Sequence, residues 1–191
     1  MDFFQYLQKE EFLPLISTES AEAEKAAEFF ISHGLTCLEI PLRSDSALET
    51  IALLKTRRPD LKAVAGTVLS GKSAAAAVEA GASALISPGW SQEVFGEAER
   101  RGVPYLPGVF TATEVQTALE FGCRYLKFFP AAAAGVGYLK ALSAAFFAAG
   151  VRFMPTGGIN HNNYRSFLEL PSVFCVSGSD FKSVFLKDDG E

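Results

Sequence analysis

Short apolar runs recur along this chain at intervals of 20 to 28 residues, and this rhythm constrains the fold more than any other feature. Segments with helical periodicity lie between the runs, and several of them end at a glycine, among them Gly34, Gly81 and Gly122. The eight predicted strands are 12–16, 37–41, 63–66, 84–87, 105–107, 125–129, 153–156 and 173–177. Eight strand–helix units of this size predict a small (β/α)8 TIM barrel. A doubly wound open sheet is the alternative, although no G-x-G-x-x-G follows the first strand.

The composition of the 191 residues predicts one globular domain over positions 1–191. The net charge of −5 gives no basic excess for binding nucleic acid or an anionic membrane, and no stretch approaches the roughly 18 apolar residues of a membrane span. Cys37, Cys123 and Cys175 lie far apart, which suits neither a disulfide framework nor a zinc site. Unpaired cysteines favour a reducing, cytoplasmic location.

Two predicted strands carry an ionisable residue in the middle of an apolar run. They are Glu39 in Cys37-Leu38-Glu39-Ile40-Pro41 and Lys127 in Tyr125-Leu126-Lys127-Phe128-Phe129. Because side chains alternate along a strand, both can face the barrel interior, where an unpaired charge is costly. One interpretation is a structural ion pair. The other is a Schiff-base lysine, since burial among aromatic rings disfavours the ammonium form and only a neutral amine attacks a carbonyl.

Polar residues and glycines follow several of the predicted strands. Strand ends of a (β/α)8 barrel meet at its carboxyl-terminal face, where enzymes of this fold place their chemistry. The residues concerned are Arg43, Thr67, Pro88-Gly89, Thr156, Gly157-Gly158 and Ser177-Gly178-Ser179. The glycine loops after the last two strands predict a phosphate site, because glycine lets backbone N–H groups approach an anion closely. Two separated histidines without a carboxylate cluster predict no metal site.

The strand-end motifs resemble those of a known family. Glu39-Ile40-Pro41-Leu42-Arg43, Ala65-Gly66-Thr67-Val68-Leu69, Ile86-Ser87-Pro88-Gly89, Lys127-Phe128-Phe129-Pro130-Ala131 and Pro155-Thr156-Gly157-Gly158-Ile159 occur in this order. They resemble the 2-keto-3-deoxy-6-phosphogluconate (KDPG) aldolases, which often also cleave 4-hydroxy-2-oxoglutarate (KHG). The resemblance implies a class I aldolase on a (β/α)8 barrel, usually a homotrimer, that needs no metal and no other cofactor. It implies reversible cleavage of KDPG to pyruvate and glyceraldehyde 3-phosphate, and of KHG to pyruvate and glyoxylate.

The resemblance also implies a role for each matching residue. Lys127 forms the imine with the keto carbon, and Glu39 is the general acid/base. Arg43 holds the α-carboxylate of the 2-keto acid substrate or of pyruvate, and Thr67 and Thr156 bind the pyruvyl part and the hydroxyl groups. The remaining residues form the pocket: Phe129 and Pro88 as its wall, and Gly157, Gly158, Gly178 and Ser179 around the phosphate.

Several positions depart from the family pattern and leave alternatives open. Ala132 stands where many members have glutamate, and Asp180 places a carboxylate beside the predicted phosphate site. Related aldolases act on the phosphogalactonate isomer or another 2-keto acid, and a non-catalytic phosphosugar-binding barrel is a third possibility. Only 14 residues follow Ser177, which predicts a short last helix and an incompletely covered barrel wall that favours association.

Overall fold

The computed structural model describes residues 2–16 and 20–180, apart from the side chains of residues 20 and 21. The strands of this part are β1 (Phe12–Pro14), β2 (Cys37–Pro41), β3 (Lys62–Gly66), β4 (Ala84–Ile86), β5 (Tyr105–Leu106), β6 (Gly108–Val109), β7 (Tyr125–Phe128), β8 (Arg152–Pro155) and β9 (Val176–Gly178). The helices are α1 (Phe3–Glu10), α2 (Ser20–Ser32), α3 (Ala47–Arg57), α4 (Gly71–Glu79), α5 (Gln92–Arg101), α6 (Ala112–Glu120), α7 (Ala131–Ala144) and α8 (Tyr164–Leu168), and a 3-10 turn spans Phe147–Ala149.

The strands close into a barrel, which confirms the predicted (β/α)8 fold. Parallel pairing runs from β2 through β3 and β4 to β5, from β6 through β7 to β8, and between β9 and β1. β5 and β6 are two halves of one strand position separated by Pro107; the first half pairs with β4 and the second with β7. Single bridges close the remaining gaps, from Leu15 to Glu39 and from Thr156 to Ser177.

Because side chains alternate between the two faces of each strand, the apolar residues form two clusters. Residues such as Leu38, Ile40 and Leu126 point outward and pack with the helices. Their neighbours point inward and form a second cluster with Phe3 and Leu7 of α1. Helix α1 therefore closes the amino-terminal end of the barrel. The carboxyl-terminal end carries the polar residues predicted from the strand ends.

Some boundaries differ from those predicted. The sequence favours Thr113 as the cap of the helix after strand five, but Thr111 caps α6, because its side chain and that of Glu114 satisfy each other's backbone N–H groups. The eighth predicted strand begins at Val173, whereas β9 begins at Val176 and Val173 makes only a bridge to Phe153.

The short helix predicted after Ser177 lies beyond Asp180, outside the described residues. No helix in residues 2–16 and 20–180 is long and apolar enough to cross a lipid bilayer.

Candidate active site

Glu39 and Lys127 meet inside the barrel. Each is the third residue of its strand, in β2 and β7, and Lys127 Nζ lies 3.6 Å from Glu39 Oε1. Their side chains are 0% and 4% exposed, respectively. Burial removes most of the hydration that a charge has in water, so each group depends on the other for compensation. The pair is thus a site where one proton can pass between an amine and a carboxyl group.

The two oxygens of Glu39 have different surroundings. Oε2 accepts a hydrogen bond of 3.3 Å from the hydroxyl of Ser177, which is fully buried. Oε1 is buried and accepts no hydrogen bond from any described residue, and it is the oxygen that faces Lys127. One oxygen is therefore held by the protein, and the other is available for proton transfer.

Gly66 provides the space for this carboxyl group. A Cβ atom built on Gly66 would lie 2.1 Å from Glu39 Oε1 and 2.7 Å from its Cγ, closer than non-bonded atoms can approach. Gly66 is the last residue of β3 and pairs with Pro41 of β2, so its backbone cannot move away without breaking the ladder. The motif Ala65-Gly66-Thr67 thus needs its glycine for packing against the carboxylate.

We expect Gly66→Ala to lower the free energy of unfolding by about 1–3 kcal/mol, because the added methyl group displaces Glu39 within a packed interior. Gly96→Ala is the matched control. Gly96 lies on the exposed side of α5 with no atom within 4 Å of an added Cβ, so this change should stabilise by about 0.5–1 kcal/mol. Urea unfolding of both variants measures the difference. Equal urea midpoints for the two variants would show that a methyl group at position 66 fits beside Glu39 without displacing it.

A cleft of about 490 Å³ opens above Lys127 at the carboxyl-terminal end of the barrel. The Lys127 ammonium lies 5.4 Å from the centre of the Phe129 ring. Arg43 also lines the cleft, and its Nε donates a 3.2 Å hydrogen bond to Thr67 Oγ1. Thr67 adopts a left-handed φ of 54°, which is uncommon for a β-branched residue. The cleft thus has an amine at its floor, an aromatic wall and a guanidinium near its rim.

Glycines form part of the lining of the cleft. Gly157 and Gly158 have φ values of 93° and 74°, which favour glycine. A Cβ on Gly157 would lie 2.9 Å from the Phe129 ring, and one on Gly158 would lie 2.6 Å from Ala132 Cβ. The departure at Ala132 therefore leaves a small residue against this loop, and no side chain at positions 157 or 158 limits how closely a ligand approaches the backbone.

Eight of the predicted site residues line this cleft: Arg43, Lys127, Phe129, Thr156, Gly157, Gly158, Gly178 and Ser179. Glu39 lies behind Lys127, and Thr67 reaches the site through Arg43. Pro88 does not line the cleft, and its backbone instead packs against Gly108. Leu15, Ile159 and Asn160 line the cleft without having been predicted.

Asp180 also lines the cleft, as the sequence indicated. Its Oδ2 lies 3.9 Å from Nδ1 of His161, a distance at which a protonated imidazole compensates the carboxylate. A carboxylate repels an anion, so a protonated His161 would reduce the cost of placing a negatively charged group beside Asp180. Thr156 is buried, and its hydroxyl donates to the carbonyl of Met154 at 3.3 Å.

The barrel interior also contains two thiols. Burial raises the pKa of Cys37 to about 12, with a further contribution from the Glu10 carboxylate. Burial likewise raises the pKa of Cys175 well above its usual value. Both groups stay protonated at neutral pH, and a protonated thiol is a poor nucleophile. The two thiols are therefore poor candidates for a nucleophile at this site.

Comparison with known proteins agrees with this geometry. Residues 4–190 match the family described as KDPG and KHG aldolase. A 2-dehydro-3-deoxy-phosphogluconate aldolase from Treponema pallidum is 38% identical over 178 residues, which are 92% of this chain and 84% of that protein. The crystal structure of a 4-hydroxy-2-oxoglutarate/2-dehydro-3-deoxyphosphogluconate aldolase from TTHB1 has a TM-score of 0.87 at 43% identity, covering 94% of this chain and 88% of that one.

A KDPG aldolase from Legionella pneumophila provides a third comparison. Its crystal structure contains pyruvate captured at low pH as a covalent carbinolamine intermediate. The two chains share 37% identity with a TM-score of 0.87, over 94% of this chain and 87% of the other. Since the match extends over nearly the whole chain, this protein belongs to the KDPG and KHG aldolase family.

Proposed function

We propose that this protein is a class I aldolase that cleaves KDPG to pyruvate and glyceraldehyde 3-phosphate, with KHG as a second substrate. The observation that carries this proposal is the buried Lys127 amine, 3.6 Å from a buried carboxyl oxygen at the floor of an open cleft. A protein that only binds a phosphosugar gains nothing from a buried amine, whereas imine chemistry requires one. The names of the relatives identify the substrates.

Imine formation begins with a proton transfer within the pair. The Glu39 carboxylate accepts a proton from the Lys127 ammonium, and the neutral amine attacks the C2 ketone carbon. The proton left on nitrogen moves to the former carbonyl oxygen, which gives a carbinolamine. Glu39 then returns its proton to that hydroxyl group, which departs as water and leaves a protonated imine beside a carboxylate. The released water consists of the ketone oxygen and two protons of the ammonium, so the net charge of the pair is unchanged and no proton is exchanged with solvent.

Cleavage uses the imine as an electron sink. Glu39, acting through a water molecule, removes the proton of the C4 hydroxyl group. The C3–C4 bond breaks, its electron pair moves toward the imine carbon, and the aldehyde leaves. Glu39 then delivers the proton to C3 of the resulting enamine. Water hydrolyses the pyruvyl imine, which releases pyruvate and restores Lys127.

The cleft supplies groups for both ends of the substrate. Arg43 binds the planar α-carboxylate, for which a guanidinium fork is well suited, and Thr67 orients that guanidinium through the hydrogen bond to its Nε. Thr156 lies beside Lys127 in the lining and binds the pyruvyl oxygens. Phe129 forms the apolar wall. Pro88, which lies outside the lining, contributes by fixing the neighbouring strand end at Gly108.

The phosphate binds at the glycine side of the cleft. Backbone groups of Gly157, Gly158, Gly178 and Ser179 hold it, because a close approach is possible where no Cβ intervenes. His161 offsets the charge of Asp180 at this end when its imidazole is protonated. KHG has a carboxylate in place of the longer phosphorylated chain, so it fills less of the cleft and gains fewer contacts.

The active form that we propose is a cytoplasmic homotrimer. Large apolar side chains lie exposed on the described surface, most of all Leu69, which is 67% exposed, and such residues favour association. Cys37, Cys123 and Cys175 are all free thiols, which suits a reducing compartment. Sedimentation equilibrium distinguishes the trimer from a monomer of 20.5 kDa.

Pyruvate release from three substrates tests the function. KDPG, its galactonate isomer and KHG are incubated separately with the enzyme, and pyruvate is measured with a coupled dehydrogenase. We expect kcat/KM to be highest for KDPG and lower by at least about tenfold for KHG, because the phosphate contacts are lost. A preference for the galactonate isomer would assign the protein to the alternative substrate. Release from none of the three would contradict aldolase activity.

A further inference from the structure

Ser177 makes a contact with the catalytic pair that the proposed mechanism does not use. It is the middle residue of β9, its side chain is fully buried, and its hydroxyl donates a 3.3 Å hydrogen bond to Glu39 Oε2. The two residues are 138 positions apart in the chain. Thr156 also bridges to Ser177 through the backbone, so the serine lies between the acid/base and the floor of the cleft.

The barrel geometry fixes the distance between these two side chains. β1 lies between β9 and β2, with Leu13 paired with Ser177 and Leu15 bridged to Glu39. Inward-facing residues of alternate barrel strands share one layer. Glu39, Lys127 and Ser177 come from the second, sixth and eighth strand positions, so all three belong to the same set of strands. The hydroxyl is therefore held at a constant place beside the carboxyl group by the sheet itself.

The contact also gives the two carboxyl oxygens of Glu39 different roles. Oε2 is held by Ser177, while Oε1 accepts no hydrogen bond from the described residues and faces Lys127 Nζ at 3.6 Å. The carboxyl group already lies against Gly66 of β3, since Oε1 occupies the position that a Cβ would take, so the β3 backbone blocks further movement toward that strand. With the group confined on that side, the hydrogen bond to Oε2 selects its rotation about the last side-chain bond.

We propose that Ser177 is a positioning residue: its hydroxyl fixes Oε2 of Glu39 so that Oε1 carries every proton exchanged with Lys127 and with the substrate. This proposal rests on the proposed function, since it concerns the same acid/base. The carboxylate form of Glu39 accepts the proton of the Lys127 ammonium and later that of the C4 hydroxyl group, and the Ser177 hydroxyl is the donor that holds its other oxygen. Ser177 acts through Glu39 and binds no part of the substrate.

Deuterium exchange into pyruvate isolates the proton transfer from bond cleavage. In D2O, the pyruvyl imine and its enamine interconvert as Glu39 removes and returns a proton at C3, and the methyl signal in the proton NMR spectrum decays. We expect Ser177→Ala and Ser177→Gly to lower the exchange rate at saturating pyruvate by about tenfold, the effect of losing one hydrogen bond to a charged group. The pyruvate concentration giving half the maximal rate should change by less than about twofold, because binding is not affected.

Two control experiments show whether Ser177 affects the exchange rate through Glu39. Ser143→Ala removes another buried serine hydroxyl, one that donates to the Lys140 carbonyl in α7, and should leave the exchange rate unchanged. In a Glu39→Gln background, Ser177→Ala should lower the rate no further, because the group that Ser177 positions is no longer an acid/base.

Wild-type exchange rates in both Ser177 variants would overturn the proposal. A raised half-saturating concentration with an unchanged maximal rate would also overturn it, since Ser177 would then act on binding. A further loss of exchange rate when Ser177→Ala is added to Glu39→Gln would also contradict it, because Ser177 would then act through a group other than Glu39. If the unmodified enzyme neither exchanges the methyl protons nor forms a borohydride-trapped adduct with pyruvate, the proposed function itself fails, and this outcome is distinct from the others.

Discussion

Replacing Lys127 by methionine should abolish the adduct that borohydride traps with pyruvate and lower kcat for KDPG by at least about 10⁴-fold. Methionine has nearly the volume of lysine, so the barrel interior stays filled while the amine is lost. Without the amine no covalent imine forms, and the remaining groups cannot provide an equivalent electron sink. Mass spectrometry of the reduced, digested protein locates the adduct, and the coupled pyruvate assay gives the rate.

Lys62→Met is the matched control for this experiment. Lys62 also belongs to a barrel strand, but it begins β3 at the opposite end of the barrel, with its ammonium over the Tyr6 ring at 3.8 Å. This variant should keep both the adduct and the rate. An adduct on any lysine other than Lys127, or one that persists in Lys127→Met, would contradict the Schiff-base assignment.

The position of the Glu39–Lys127 pair was predictable because a strand has a simple period. Side chains two residues apart share a face, so a charged residue at the centre of an apolar run faces the same side as its second neighbours. In β2, Cys37 and Glu39 both point into the barrel, while Leu38 and Ile40 point outward. The strand-end residues were predictable for a related reason, since every parallel strand in a barrel ends at the same face.

Contacts between distant strands were not predictable in the same way. The hydrogen bond from Ser177 to Glu39 joins residues 138 positions apart, and it depends on the barrel closing through β1. The closeness of Gly66 to Glu39 depends on the register between β2 and β3. Period and composition along one strand contain no information about register with another strand. Both contacts therefore required coordinates.

Local sequence rules also competed with one another at some positions. Thr111 and Thr113 each have a capping-box partner three residues later, Glu114 and Gln116, and the structure uses Thr111 with Glu114, so that Thr113 lies in the first turn of α6. Pro88 follows a strand, as the lining residues do, but its backbone packs against Gly108. A Cβ atom on Gly108 would lie 2.1 Å from the Pro88 backbone. Proximity to a strand end thus predicts the face of the barrel but not a place in the cleft.

Changing Glu39 to glutamine should lower kcat by about 10³-fold, the typical contribution of a general acid/base, while KM changes only a few-fold. The amide keeps the shape of the carboxyl group and still fits between Gly66 and Ser177, but it cannot accept the proton of Lys127. Imine formation slows for the same reason, so borohydride should trap the adduct more slowly in this variant than in the unmodified enzyme. Steady-state kinetics and timed trapping measure the two effects.

Glu10→Gln separates this chemical loss from a structural one. The Glu10 carboxylate accepts hydrogen bonds from the backbone N–H groups of Thr36 and Cys37, and so supports the opposite end of the strand that carries Glu39. Losing one of these acceptors should lower the free energy of unfolding by about 1–3 kcal/mol and leave kcat unchanged. If Glu10→Gln and Glu39→Gln lost the same fraction of kcat, the loss in Glu39→Gln would come from disturbance of β2 and not from the missing acid/base. A Glu39→Gln enzyme that kept more than about a tenth of the rate would remove the carboxyl group from the proton-transfer steps and leave Lys127 to exchange its proton with water in the cleft.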